Sequence, residues 1–159
     1  MRTYADSSFI LRLLTAEADS AAAIAEYRRI GLPPLFFLPL HAPEVRNAVR
    51  QRAFHERRSS SSRKRAHIAR ERDAALDRLE RFLSRRTLLD VALDMDAVIE
   101  RATGLATAHT ERLGTRAIDL LHVASALVLD SEVFLTTDER QARLAKAEGL
   151  KVVTPAAAS

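Results

Sequence analysis

Short apolar runs alternate along this chain with longer segments of helical periodicity, and that alternation narrows the possible folds more than any other feature. Leu35 to Leu38 carry no polar side chain, Val133 to Thr136 are apolar until the final threonine, and Leu150 to Val153 are interrupted only by Lys151. Strands buried on both faces read this way. Thr3 to Ala5 form a shorter opening strand, and Leu88 to Leu93 a further strand candidate. Between these runs the pattern is helical. Ser7 and Ser8 are placed to cap a helix over Phe9 to Leu14. A second helix runs from Asp19 or Ser20 to Ile30, stopped by Gly31, Pro33 and Pro34. Pro43 opens a third, whose apolar face is Val45, Ala48 and Val49. Ile68, Ala75, Leu76, Leu79, Phe82 and Leu83 mark a long amphipathic helix after an exposed turn at Ser59 to Ser62. Further helices are predicted from Asp94 or Asp96 to about His109, over Thr115 to Leu129, and from Asp138 to Glu148 before Gly149. There is no internal repeat. Strands alternating with helices predict an α/β fold with a parallel sheet covered on both sides.

Composition limits the function classes. The 159 residues suffice for one domain with a sizeable core, expected over residues 1–155 with a short tail at 156–159. With 47% hydrophobic and 29% charged residues, the chain reads as an ordinary soluble protein. It contains no cysteine, which excludes disulfides, thiolate metal sites and a cysteine nucleophile. That absence, a start lacking signal-peptide character and the lack of a membrane-length apolar run together predict a cytoplasmic protein without membrane contact. The net charge of +4 is unevenly spread: His55 to Arg86 hold 11 Arg and Lys against 5 Asp and Glu. Such a segment attracts a polyanion such as RNA, or is simply a solvated arginine-rich helix. Aromatic residues make up 5% with no tryptophan, too few for a base-stacking platform. Grip on a nucleic acid would then come from phosphate contacts.

Four acids, Asp6, Glu44, Asp119 and Asp138, stand at or beside predicted strand-to-helix junctions. Ligands of open parallel sheets bind outside the carboxyl ends of the strands. Carboxylates gathered there repel one another unless a cation joins them, and a hard divalent ion, Mg²⁺ or Mn²⁺, suits oxygen donors. Such an ion lowers the pKa of bound water and clamps attacking and leaving oxygens, which is the chemistry of phosphodiester hydrolysis. Metal binding would release protons at mildly acidic pH. A carboxylate not fully committed to metal, Asp6 or Asp138, could accept the proton from water.

The residues around these acids carry a resemblance. Tyr-Ala-Asp-Ser-Ser-Phe-Ile at 4–10, Pro-Glu-Val-Arg-Asn-Ala-Val at 43–49, Ile-Asp-Leu-Leu-His-Val-Ala-Ser-Ala-Leu at 118–127 and Leu-Thr-Thr-Asp-Glu-Arg-Gln at 135–141 resemble PIN-domain ribonucleases. More narrowly, they resemble the VapC-type toxins of type II toxin–antitoxin systems. The resemblance implies a three-layer α/β/α sandwich around a central parallel sheet. It also implies metal-dependent endoribonuclease activity, with Asp6, Glu44, Asp119 and Asp138 as the metal-binding and catalytic quartet. Ser8 and Thr136 fall on the family's hydroxyl positions, where they would orient carboxylates or water, and Arg116 falls where relatives carry a basic residue. The implied partners are an RNA substrate such as transfer or ribosomal RNA, a VapB-type antitoxin that covers the site with an arginine or similar group, and a second copy in a homodimer. The chain departs from the pattern ahead of Glu44, where Leu40, His41 and Ala42 replace the usual Ser or Thr cap.

Plainer roles exist for each residue. Asp6 and Asp138 would serve as helix caps, and Glu44 would favour a helix dipole. Asp119, inside an apolar helix, needs a partner, for which an ion pair with Arg116 is the bland choice. His122 reads as a core or supporting histidine, and His41, His55, His67 and His109 as surface or packing residues. A catalytically inactive RNA-binding or interaction protein of the same fold is the main alternative. A phosphotransfer receiver domain fits less well, because Lys146 and Lys151 are poorly placed for it.

Overall fold

A computed structural model describes residues 1–58 and 60–155; the predicted tail at 156–159 and Ser59 of the predicted turn lie outside the described residues. Five strands form one parallel sheet: β1 (Thr3–Ala5), β2 (Leu35–Phe37), β3 (Leu88–Asp90), β4 (Val133–Leu135) and β5 (Lys151–Val153). Their order is β3-β2-β1-β4-β5. The chain therefore builds outward from β1 in one direction, then returns to the other side of β1 with β4. The crevice between β1 and β4 is the switch point at which such sheets bind ligands.

Among the described residues seven helices connect the strands: α1 (Ser7–Leu14), α2 (Ser20–Arg29), α3 (His41–Arg58), α4 (Ser62–Ser84), α5 (Met95–Leu113), α6 (Ala117–Val128) and α7 (Glu139–Ala147). Alternation along the strands sorts side chains into two cores. Ala5, Leu35, Phe37, Val133, Leu135 and Val153 pack with α1 to α4, whereas Tyr4, Phe36, Phe134 and Val152 pack with α5 to α7. This is the expected α/β/α sandwich. At about 2 kcal/mol for each large buried side chain, Phe9, Ile10, Leu14, Phe134 and Leu144 alone make a substantial core contribution.

The differences from the sequence reading have local causes. The third strand stops at Asp90 rather than Leu93, because its partner among the described residues, β2, ends at Phe37, opposite Asp90. The helix expected to end near His109 continues to Leu113, where Gly114 takes a left-handed conformation (φ 63°) and closes it. The serine-rich break is narrower than predicted: Ser60 is buried, with its hydroxyl donating to the Glu56 carbonyl, and Ser62 already begins α4. No helix among the described residues is long and apolar enough to cross a membrane.

Candidate active site

Asp6 follows β1 directly and caps α1, its Oδ1 accepting the Phe9 N–H at 2.8 Å. Ser7 and Ser8 were expected to cap this helix; they occupy its first turn instead and serve two of the acids. Ser8 Oγ donates to both oxygens of Asp6, at 2.7 and 2.9 Å. Ser7 Oγ donates to Glu44 Oε2 at 2.8 Å. Thr136, just past β4, donates from Oγ1 to Asp6 Oδ2 at 2.7 Å, spanning the β1–β4 crevice. The same Oγ1 accepts the Asp138 N–H at 2.9 Å. Thr136 thus ties Asp6 to Asp138, which caps α7 through the N–H groups of Arg140 and Gln141. The cap roles are real, and they position the acids at the sheet end rather than explaining them away.

Glu44 lies in the first turn of α3. That helix starts at His41 although no Ser or Thr caps it: His41 is fully buried, accepts the Leu38 N–H on Nδ1 at 2.9 Å and bonds the Ala5 carbonyl through Nε2 at 3.0 Å. Burial, helped by the charge of nearby His122, pushes the His41 pKa down to about 3 against its bond to Ala5. The neutral ring is therefore a structural strut between β1 and α3.

His122, three residues after Asp119 on α6, joins Tyr4 to Glu44. Its Nε2 lies 2.8 Å from Glu44 Oε2 and its Nδ1 2.8 Å from the Tyr4 hydroxyl. Because a carboxylate only accepts, Nε2 carries the proton; in the neutral ring Nδ1 then accepts from Tyr4. Burial alone would raise the Glu44 pKa, but the His122 hydrogen bond, its charge and the Ser7 hydroxyl outweigh this and hold it below the usual carboxylate value. Asp6 goes the other way: complete burial raises its pKa despite His122, Thr136, the Phe9 N–H and Ser8.

Asp119 is buried at the start of α6. The bland alternative, an ion pair with Arg116, does not form. Asp119 Oδ2 accepts the Arg116 backbone N–H at 2.8 Å, while the Arg116 side chain is exposed. The cation beside Asp119 is Arg140, with Nε 3.7 Å from Asp119 Oδ2 and Nη2 3.7 Å from Asp138 Oδ2. Gln141 adds a bond from Nε2 to Asp119 Oδ1 at 3.3 Å. Arg140 and Gln141 were missed at the sequence level, although they sit two and three residues after Asp138 in the 135–141 motif. An acid at a helix start invites a cation from the first turn of a neighbouring helix, but which helix neighbours it is a tertiary matter.

The four acids therefore share one end of the sheet through two linked chains: Asp6–Thr136–Asp138–Arg140–Asp119, and Tyr4–His122–Glu44–Ser7. Carboxylates and hydroxyls are the right donors for Mg²⁺ or Mn²⁺. Their spacing is held open, however. Among the described residues no three Asp, Glu or His side chains converge closely enough to hold an ion. Arg140 lies between Asp119 and Asp138 where positive charge is needed.

Residues 3–147 match the family model of the PIN domain. The chain belongs to the PIN-domain family. PIN domains are generally nucleases and generally work with divalent metals. No curated protein matches this PIN domain in sequence at a significant level. Among solved structures it is similar to VapBC2 from Rickettsia felis, bound there to a DNA fragment from its promoter, with a TM-score of 0.62 and 13% identity over 98% of this chain and 100% of that one. It is also similar to FitAcB from Neisseria gonorrhoeae, with a TM-score of 0.60 and 16% identity over 94% and 95% of the two chains. PAE2754 from Pyrobaculum aerophilum gives 0.56 and 16%, over 96% and 90%. At these identities the likeness is one of fold.

Proposed function

We propose that this PIN domain is a metal-dependent endoribonuclease, acting in the cytoplasm as the toxin of a toxin–antitoxin pair. One observation carries the reading. Asp6, Glu44, Asp119 and Asp138 come from four separate segments, yet hydrogen bonds and one guanidinium link Asp6, Asp138 and Asp119 at the β1–β4 switch point, and Glu44 is held by Ser7, the residue next to Asp6. These four side chains carry the oxygen donors that such an ion needs, although as placed no three of them meet closely enough to hold one. When bound, it would supply an activated water and charge neutralisation at the scissile phosphate. Ser8 and Thr136 fix the Asp6 carboxylate, and Ser7 with His122 fixes Glu44, so neither has to be oriented when substrate arrives. Arg116, exposed at the start of α6, is available to the RNA backbone.

The toxin assignment draws on the fold shared with VapBC2 and FitAcB. An antitoxin of VapB type is the proposed partner, and a homodimer the proposed assembly. A hollow of about 720 Å³ beside α1, α2 and α4 combines Leu13, Ile24, Tyr27, Leu32 and Phe82 with Arg28, Arg78, Arg81, Arg85 and Arg86, and an amphipathic helix that carries acidic residues beside its apolar face would suit it.

The open spacing of the acids favours a second reading, a PIN-fold protein that binds RNA or a partner without turnover. Sequencing the RNA ends produced by the purified protein with Mg²⁺ or Mn²⁺ separates the two. The nuclease reading expects discrete new 5′-phosphate ends that disappear in Asp6→Asn. Binding without new ends in either protein supports the second reading.

A further inference from the structure

The α3–α4 hairpin carries a charged hollow that the acidic site does not use. It measures about 540 Å³ and is lined by Arg50, Phe54, Arg57, Arg58, Arg65 and Arg72, with Asp73 as its one acid. Asp73 is already taken by Arg72 at 2.8 Å. Other arginines of α3 are paired: Arg46 with Glu80, and Arg52 with Glu56 and Glu17. Among the described residues, Arg50, Arg57, Arg58 and Arg65 have no carboxylate within ion-pair range. Four like charges around one hollow raise its potential and favour an anionic occupant. Phe54, 58% exposed, stands among them with the Arg58 guanidinium 5.8 Å from its ring centre. An aromatic face beside a guanidinium plane can stack an unpaired base.

Distance sharpens this. Arg57 follows Glu44 by thirteen residues of unbroken helix, about 20 Å along its axis. At about 3.4 Å for each stacked step of a strand, that is about six nucleotides from the acidic end. We propose that the α3–α4 hollow is a second contact surface for RNA, gripping the backbone of a folded substrate some 20 Å from the point of cleavage. This rests on the ribonuclease reading above. Arginines at that remove hold phosphates rather than read bases, so they favour shape: a stem, or a loop closed by one, spans both places already ordered, whereas a flexible strand must be ordered over about six nucleotides to do so. An acidic protein segment would answer the charge but leave Phe54 without a flat partner.

The test compares the wild type, an Arg57→Gln/Arg58→Gln/Arg65→Gln variant, and a charge-matched control, Arg81→Gln/Arg85→Gln/Arg86→Gln, at the far end of α4 and in the turn after it, where these arginines line the hollow beside α1 and α2. Affinity for a labelled RNA stem-loop is measured in EDTA across a salt series, and irradiation followed by mass spectrometry locates the crosslinked residue. The proposal expects the first variant to bind at least tenfold more weakly. Its log K against log salt slope should be shallower by about 2, at about 0.7–0.9 for each lost phosphate contact. The control should keep the wild-type slope, and Phe54 should crosslink to RNA. Equal losses in both variants would mean that only net charge matters and would overturn it. So would unchanged RNA binding in the first variant together with lost binding to polyglutamate. A wild type that binds and cuts RNA while crosslinking elsewhere removes this inference alone, whereas one that neither binds nor cuts RNA removes the ribonuclease reading as well.

Discussion

The acidic end of the sheet and the arginine-lined arm hold their polar groups in opposite ways. At the sheet end Asp6, Asp119, Thr136, His41 and His122 are buried, and each is bonded to partners far away in sequence. On the arm, arginines close in sequence surround an open hollow, and Arg50, Arg57, Arg58 and Arg65 among them have no carboxylate within ion-pair range among the described residues. Burial makes the first region costly to alter, because a buried group that loses its partner keeps its desolvation cost. The second region is energetically cheap and free to vary with the ligand it meets. Its contribution, where there is one, appears in binding and in salt dependence.

The contrast is most strongly tested at Asp6. Asp6→Asn should reduce RNA cleavage by at least about a hundredfold, the scale of losing one key electrostatic group, while the protein stays folded by circular dichroism. Stability works in the opposite sense to activity. The raised pKa of Asp6 means that its contribution is present below the ordinary carboxylate value and is lost as pH rises through the folded value. The variant should therefore melt no lower than wild type at neutral pH. By the same linkage, Mn²⁺ binding to the wild type at mildly acidic pH should release protons, seen by calorimetry in buffers of different ionisation enthalpy. Cleavage that survives Asp6→Asn would break the comparison at its centre.

His41 comes next. Its pKa falls from the ordinary 6.5 to about 3 in the fold, so the unfolded chain binds the extra proton throughout that window. Stability should decrease as pH drops below about 6.5, by about 2 kcal/mol on reaching pH 5 from this group alone. His41→Gln keeps an acceptor and a donor without a titrating ring, and should flatten that part of the profile in urea titrations. Glu44, with its lowered pKa, adds stability above the ordinary carboxylate value that is lost as pH falls through the lowered one. It acts at the acid end of the same curve.

Arg140→Gln should have a smaller and more instructive effect. Its guanidinium is partly exposed and 3.7 Å from each acid, so the metal-free protein should lose about 1 kcal/mol. Mn²⁺ affinity should rise several-fold, because an internal cation no longer competes. An unchanged affinity would mean that the open spacing of the acids has another cause. At the low end of the scale, Arg57→Gln/Arg58→Gln/Arg65→Gln should shift the unfolding free energy by less than about 0.5 kcal/mol. A large loss would show that the arm is as integrated as the sheet end.

Much of this was legible in the chain itself. Apolar runs placed the strands, periodicity placed the helices, and the four motifs singled out the acids together with Ser8 and Thr136, two hydroxyls that bond Asp6. Other features were not legible. Arg116, a helical turn from Asp119, was the plain alternative as its ion-pair partner, yet Arg140 from α7 holds that place. His41 looked like a packing residue, but nothing in its surroundings in sequence indicates that it braces β1 against α3. His122 could be read as a supporting histidine without any sign that Tyr4 and Glu44 would be its partners.

The sequence by itself determined which segments become strands and helices, because period and end signals are local properties of the chain. It also determined the type of donor atoms available and the concentration of arginine on one hairpin. Only the tertiary structure decided which partners each acid meets. Asp6 and Thr136 are 130 residues apart, and they touch because β4 returns beside β1. Glu44 and His122 are 78 residues apart, brought together when α3 and α6 reach the same end of the sheet from opposite faces. Hydrogen bonds and ion pairs act over a few ångströms, so their partners are chosen by topology and packing rather than by nearness along the chain.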